Sequence, residues 1–178
     1  MDKEQIISDI NQTFNTILQL ISGLDDEVIN LIPFEKSWTA GQVAQHVIIS
    51  GSGFAEILYG AVEKTNREYD AIKPAIKGDF LNFDIKMTSP DFIVPPAINY
   101  NKEDLVSNLT HIKTALTNAV NSLDLTMTCL SFEIGYGYFT RYEAIYFVIY
   151  HTQRHIHQLK NIINQLDKSF NKNYHGSN

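Results

Sequence analysis

The chain of 178 residues has one cysteine, no long apolar run and no cluster of basic residues. A single cysteine cannot form an internal disulfide, which fits a reducing compartment such as the cytoplasm. No apolar run approaches the roughly 18 residues of a membrane-spanning helix, so we expect no membrane partner. The first residues lack the basic and apolar regions of a signal peptide. Fourteen basic residues against twenty acidic ones argue against nucleic acid as a partner.

The overall composition is that of a folded protein. Hydrophobic residues make up 44% of the chain and charged residues 19%, which excludes disorder over most of its length. The length fits one domain of ordinary size. We expect this domain to cover residues 1–168, and the polar residues 169–178 to form a frayed tail.

Four segments repeat apolar residues at steps of three and four, the spacing of an amphipathic helix. Their apolar positions run from Ile6 to Ile21, from Val43 to Leu58, from Leu105 to Leu123 and from Ala144 to Leu166. The pattern predicts an all-α fold. The second and fourth helices also begin with the residue pairs of a capping box, Thr39 with Gln42 and Thr140 with Glu143.

Two connections are long enough to have structure of their own. The link between the second and third helices spans roughly residues 61–100 and holds four of the five prolines. We expect it to contain a short helix or to form one wall of a pocket. It can also traverse a bundle, so the second and third helices need not be antiparallel neighbours. The link 124–139 is aromatic and glycine-rich, and is predicted to form a structured turn.

Three histidines are candidate metal ligands. His151 and His155 lie four residues apart within the apolar stripe of the fourth helix, so they share one face that should point inward. The pair alone is equally compatible with a metal site and with two buried histidines that only make hydrogen bonds. His46 lies beside apolar positions of the second helix, and would join them if the two helices pack together. Three neutral imidazoles suit Zn²⁺, Ni²⁺, Cu²⁺ or Fe²⁺, and leave a position for water or substrate.

The other histidines and the cysteine fit structural or solvated roles better. His157 lies about 200° round the helix from His155 and should face away from it. His111 has no second candidate ligand nearby, and His175 lies in the polar tail. Cys129 is the one thiol, and a mixed apolar stretch around it favours burial over a lowered pKa.

Two motifs contain these three histidines. Residues Lys36-Ser-Trp-Thr-Ala-Gly-Gln-Val-Ala-Gln-His and Tyr150-His-Thr-Gln-Arg-His-Ile-His-Gln-Leu resemble the two signatures of the DinB/YfiT-like superfamily. Gly137-Tyr-Phe-Thr-Arg-Tyr-Glu-Ala is similar to the family's approach to its last helix. The resemblance covers roughly residues 3–166, although residues 61–100 match only in length and proline content.

The resemblance implies a fold and a metal site. The fold is a four-helix bundle of up-down-down-up order, with a long crossover between helices 2 and 3. The metal is a divalent transition metal, with zinc or nickel favoured, held by His46, His151 and His155. Members of the family use bacillithiol, mycothiol or a similar small thiol to transfer or isomerise groups, and many have no known reaction.

Three further residues match the family pattern. Arg154 lies one position off the ligand face, where we expect it to pair with a carboxylate. Gln158 is expected to hydrogen-bond between helices. Trp38 is expected to be a packing residue at the start of the second helix.

Three hypotheses of function follow. The first is a metal-dependent enzyme acting on a small-molecule substrate, such as a small-thiol S-transferase or a related hydrolase or isomerase. The second is a non-catalytic metal- or ligand-binding bundle of a stress response. The third is a bundle whose histidines bind no metal. Exposed aromatic residues in residues 132–146 and 80–100 could form a homodimer surface.

Overall fold

The computed structural model describes residues 1–175, and within this range the chain forms six α-helices and a three-stranded sheet. In chain order the elements are α1 (Lys3–Ser22), a 3₁₀-helix (Val28–Asn30), α2 (Ala40–Ser52), α3 (Phe54–Tyr59), β1 (Val62–Glu63), α4 (Lys73–Phe80), a second 3₁₀-helix (Asp91–Ile93), α5 (Lys102–Ser122), β2 (Thr128–Ile134), β3 (Gly137–Thr140) and α6 (Arg141–His175). None of the helices in the described range is both long and apolar enough to span a bilayer.

The four predicted amphipathic helices correspond to α1, α2, α5 and α6, except that the second one, predicted to reach Leu58, ends at Ser52 and continues after Gly53 as the separate helix α3. The four long helices share one core. Both α1 and α2 pack against α5 and α6, so the four helices enclose a common interior. The side chains that α1 buries there are Ile6, Ile10, Thr13, Phe14, Ile17 and Ile21. Burying each large apolar side chain contributes about 1.5–3 kcal/mol, so this stripe alone supplies much of the driving force. Of the predicted all-α fold, the mostly helical character is confirmed, and the up-down-down-up order stays a prediction.

Side-chain caps determine where α2 and α6 begin. The Thr39 hydroxyl accepts from the Gln42 backbone N–H at 3.0 Å, and the Gln42 side chain accepts from the Thr39 N–H at 3.0 Å. Thr140 and Glu143 make the same reciprocal pair at 3.2 and 2.9 Å. Both predicted capping boxes are therefore present. Each satisfies backbone N–H groups that have no partner within the helix.

The small sheet corrects the expectation of a chain built of helices alone. β2 pairs antiparallel with β1 on one side and with β3 on the other. The aromatic segment 124–139, predicted as a structured turn, thus contains a β-hairpin. Gly137 ends its turn at a φ of +82°, a conformation that only glycine adopts without strain. β1 has two residues and β3 has four, which is too short for a clear alternating pattern.

The connection between α3 and α5 crosses the groove between α2 and α6. Its helix α4 packs on α6, and its 3₁₀-helix Asp91–Ile93 packs on α2. The expected short helix is therefore present. The fully buried Glu143 fastens the start of the connection, because it accepts from Arg67 at 2.7 and 2.6 Å and from the Ile72 backbone N–H at 2.7 Å. The connection covers the face of the molecule where the candidate ligands lie.

The last helix is longer than predicted. α6 continues to His175, so residues 169–175 of the predicted tail are helical in the structure. Residues 176–178 of that tail lie outside the described range. The domain boundary at residue 168 stays a prediction.

Candidate metal centre

Three histidines from α2 and α6 meet beneath the connection. His46, His151 and His155 expose only 1%, 8% and 8% of their surface. The Nε2 atom of His151 lies 3.1 Å from that of His46 and 3.2 Å from that of His155. One nitrogen from each ring lies within 4.8 Å of the other two. The structure therefore brings together all three residues that the sequence singles out as candidate ligands.

Hydrogen bonds on the far side of two rings turn their Nε2 atoms toward the centre. His46 Nδ1 lies 2.9 Å from the carbonyl oxygen of Ile93, which can only accept, so this Nδ1 carries the proton. His155 Nδ1 lies 2.9 Å from the side-chain oxygen of Gln158, with the same consequence. A neutral imidazole protonated at Nδ1 offers a lone pair at Nε2. Metal-bound histidines are usually held by such a partner.

The number of protons in the cluster also favours a cation. With Nδ1 protonated on His46 and His155, both of their Nε2 atoms are acceptors. His151 has one ring proton when neutral, so it can satisfy at most one of the contacts at 3.1 and 3.2 Å. In the remaining contact, the lone pairs of two unprotonated Nε2 atoms would face each other, which is repulsive unless a cation lies between them. Zn–N bonds of about 2.0–2.1 Å at tetrahedral angles would separate the nitrogens by roughly 3.3 Å, close to the spacing observed.

Burial keeps the three imidazoles in their neutral form. Desolvation lowers the pKa of His46, although its bond to Ile93 acts in the opposite direction. Desolvation first, and then the neighbouring His155, His46 and Arg154, hold the pKa of His151 well below its usual range. Desolvation is also the main cause that lowers the pKa of His155 to about 3. Because metals bind the neutral ring, protons compete little with a metal at neutral pH.

Aromatic rings surround the three imidazoles. Trp38 lies 5.2 Å from His46 between ring centroids, and Phe80 lies 5.5 Å from His151 with its ring nearly perpendicular. Phe147 is parallel to His151 at 6.1 Å. No carboxylate or thiol of the described residues joins the three-histidine group. Three neutral ligands leave the charge of a divalent cation uncompensated, so an anion is the favoured fourth ligand.

Arg154, Gln158 and Trp38, the further residues that match the family pattern, lie near the centre, and the structure corrects the expected roles of the first two. Arg154 was expected to pair with a carboxylate, but it donates to backbone carbonyl oxygens at the end of α4 and just beyond it. Gln158 was expected to bond between helices, but it accepts from His155 on its own helix. Trp38 is half-buried against the core, as expected of a packing residue.

Among the side chains that the structure describes, the other histidines and the cysteine lie outside the three-histidine group. His157 is exposed and stacks on Phe83 at 4.1 Å, and His111 is also exposed. His175 is the last residue of α6. Cys129 is buried in β2, and desolvation raises the pKa of its thiol to about 11. It therefore offers almost no thiolate at neutral pH.

Two residues of the connection contribute to the centre without having been predicted. Ile93 contributes through its backbone carbonyl, and any residue in its place would offer the same group, so its side chain carries no signal. Phe80 covers His151 with its ring. The one signal in the sequence was that Phe80 is aromatic and follows Pro74 within a short segment. Nothing in the sequence indicated that Phe80 lies close to His151.

A mostly helical fold with a buried three-histidine group defines a class of protein that can hold a transition metal. A family model for the DinB superfamily matches residues 9–159, and the chain belongs to this superfamily. The resemblance seen in the two histidine motifs is thereby confirmed. A search of curated proteins finds no match, and a search of solved structures finds none either.

Proposed function

We propose that His46, His151 and His155 bind a divalent transition metal, and that the chain is a metal-dependent enzyme. The observation that carries this is the convergence of three Nε2 atoms, two of them on rings whose Nδ1 atoms are engaged elsewhere. An all-nitrogen donor set suits zinc or nickel, and disfavours calcium and magnesium, which prefer oxygen. Three protein ligands are typical of a catalytic site, whereas structural zinc sites have four.

We further propose that the reaction transfers a group to a small thiol, with related hydrolase or isomerase chemistry as variants. When bound, such a metal supplies Lewis acidity that lowers the pKa of a coordinated thiol. The chain itself contributes the orientation of the ligand rings, through Ile93 and Gln158, and aromatic walls that exclude water. No described carboxylate or thiol belongs to the group, and this supports a nucleophile that comes from a co-substrate thiol.

Turnover with thiols and electrophiles tests this proposal. Metal-loaded protein should conjugate at least one of a panel of low-molecular-weight thiols to a reactive electrophile, while metal-free protein and His151→Ala should not. Cys129→Ser should retain the activity, because the buried thiol has no part in it. If fully loaded protein turns over none of the thiols, the transferase proposal is wrong.

The second candidate is a non-catalytic metal- or ligand-binding bundle of a stress response. The near-complete burial of the three histidines favours it, as does the absence of a carboxylate from their group among the described residues. It predicts metal binding at one equivalent and no turnover with any thiol or hydrolysable substrate. Metal content together with turnover therefore separates the two functions.

The proposal also includes the order of the helices, the location in the cell and the oligomeric state. The order of the bundle is proposed to be up-down-down-up, which the resemblance supports. A cytoplasmic location is supported by the single, buried cysteine. A homodimer is supported by exposed apolar side chains in the connection, among them Phe92 and Ile98.

A further inference from the structure

Arg154 has an unusual set of partners for a charged side chain next to a metal site. Its guanidinium donates to the carbonyl oxygen of Phe80 at 3.2 Å, to that of Asn82 at 2.9 Å, and to that of Ile85. Phe80 is the last residue of α4, and the final carbonyls of a helix have no partner within it. An arginine there satisfies those oxygens and also complements the negative end of the helix dipole.

The segment that Arg154 holds covers the candidate metal centre. Phe80 is buried, and its ring lies edge-on to His151 at 5.5 Å and to Phe147 at 5.1 Å. Beyond Phe80, Leu81 packs against the core and Phe83 stacks on His157 of α6 at 4.1 Å. Among the described residues, the hydrogen bonds that join residues 81–90 to α6 all come from Arg154. The other hydrogen bonds of this segment are local to the connection.

We propose that Arg154 is a positioning residue that keeps the metal centre closed by fastening residues 80–85 over His151. The helix places Arg154 between the two ligand positions His151 and His155, one step off their face. Its side chain therefore spans from α6 to the covering segment. Without the three bonds, the end of α4 and the following loop would open more often, and the imidazoles would become accessible to solvent. The importance of this role for function rests on the proposed metal site. Whether Arg154 keeps the histidines covered can be tested without metal.

Chemical modification of histidine in the metal-free protein is the direct test. Diethyl pyrocarbonate reacts with accessible neutral imidazoles, and mass spectrometry gives a rate for each histidine. In the wild type, His151 and His155 should react slowly, while the exposed His111 reacts fast and serves as an internal reference. In Arg154→Gln, His151 and His155 should react about tenfold faster or more, with His111 unchanged. A tenfold rise corresponds to about 1.4 kcal/mol in the opening equilibrium.

Two further variants separate positioning from general stability. Arg154→Lys retains a positive charge and part of the donor set, so its histidines should react at an intermediate rate. Arg141→Gln is the matched control, because Arg141 is also on α6 and also donates to backbone carbonyls, those of Leu58 and Asp124. It lies ten residues before His151, about 15 Å along the helix. Its loss should leave the histidine rates unchanged.

Two results would overturn the proposal. One is that His151 and His155 are modified at the wild-type rate in a folded Arg154→Gln variant, and also in Arg154→Lys. The other is an equal acceleration in Arg141→Gln, which would make the effect a general loss of stability.

A second readout uses metal. Protein loaded with zinc should release it to a chelator faster in Arg154→Gln than in the wild type, at unchanged stoichiometry, and equal release rates would also contradict the proposal. If the wild type binds no metal, the proposed function fails, and the modification rates still decide the role of Arg154.

Discussion

Replacement of Glu143 by glutamine should destabilise the protein by about 4 kcal/mol. The carboxylate is fully buried and accepts four hydrogen bonds. Two come from Arg67, at 2.7 and 2.6 Å, and two come from the backbone N–H groups of Ile72 and Thr140, at 2.7 and 2.9 Å. Glutamine keeps one acceptor oxygen, and its NH₂ group would point toward groups that are themselves donors.

The size of this loss in unfolding free energy follows from the charge and the N–H groups that lose their acceptor. Breaking a buried ion pair by removing one partner costs about 3–5 kcal/mol. The Arg67 side chain keeps 28% of its surface exposed, so water can solvate part of its charge, and the lower end of that range applies. A buried backbone N–H without an acceptor costs about 1–3 kcal/mol more. These contacts share one carboxylate and do not add fully, so we expect a total near 4 kcal/mol.

Urea unfolding followed by circular dichroism measures this loss. Glu56→Gln is the matched control, because Glu56 is exposed on α3, and its replacement should change the free energy of unfolding by less than about 0.5 kcal/mol. Arg67→Met combined with Glu143→Gln should cost less than the sum of the two single changes. A loss below about 1 kcal/mol in Glu143→Gln, at unchanged denaturant dependence, would refute the reasoning.

Three further predictions concern the site and its surroundings. Gln158→Leu removes the acceptor of His155 Nδ1, so zinc affinity measured by chelator competition should fall about 10- to 100-fold, and an unchanged affinity would contradict the role assigned to Gln158. Cys129 should resist alkylation in the native state at pH 8, where a pKa of about 11 leaves about one thiolate in a thousand, and should react readily in urea; rapid native labelling would refute its burial. Metal-free protein should lose stability as the pH falls below about 6.5, because the histidines of the unfolded chain protonate there, while the lowered pKa values of His46, His151 and His155 let the folded chain take up fewer protons. Urea midpoints that are constant between pH 7 and pH 5 would contradict this last prediction.

Local patterns predict the helices and their caps well. The apolar spacing in α1, α2, α5 and α6 is regular because each helix buries one face in the same core. The capping boxes at Thr39 and Thr140 follow from residues three apart, so neighbouring positions are sufficient to find them. The shared face of His151 and His155 is also a local property, because 3.6 residues per turn places them one above the other.

Contacts between distant segments were less predictable. The sequence placed His46 near the pair only on the condition that α2 and α6 pack together. The bonds of Arg154 could not be predicted, because their acceptors are backbone carbonyls that every residue carries. The two- and four-residue strands of the sheet were missed for another reason, since so short an element shows no clear period. The role of the connection depends on where it crosses the bundle, and neither its length nor its prolines specify that.

Metal content measured by mass spectrometry, on tag-free protein, tests the central claim most directly. The wild type should contain, or take up when zinc or nickel is offered, close to one equivalent of a transition metal. His151→Ala should lose it, while His111→Ala, which removes an exposed histidine outside the group, should retain it. No metal in the wild type, even after zinc and nickel are offered, would contradict the account. The three histidines would then form a buried cluster without a metal function.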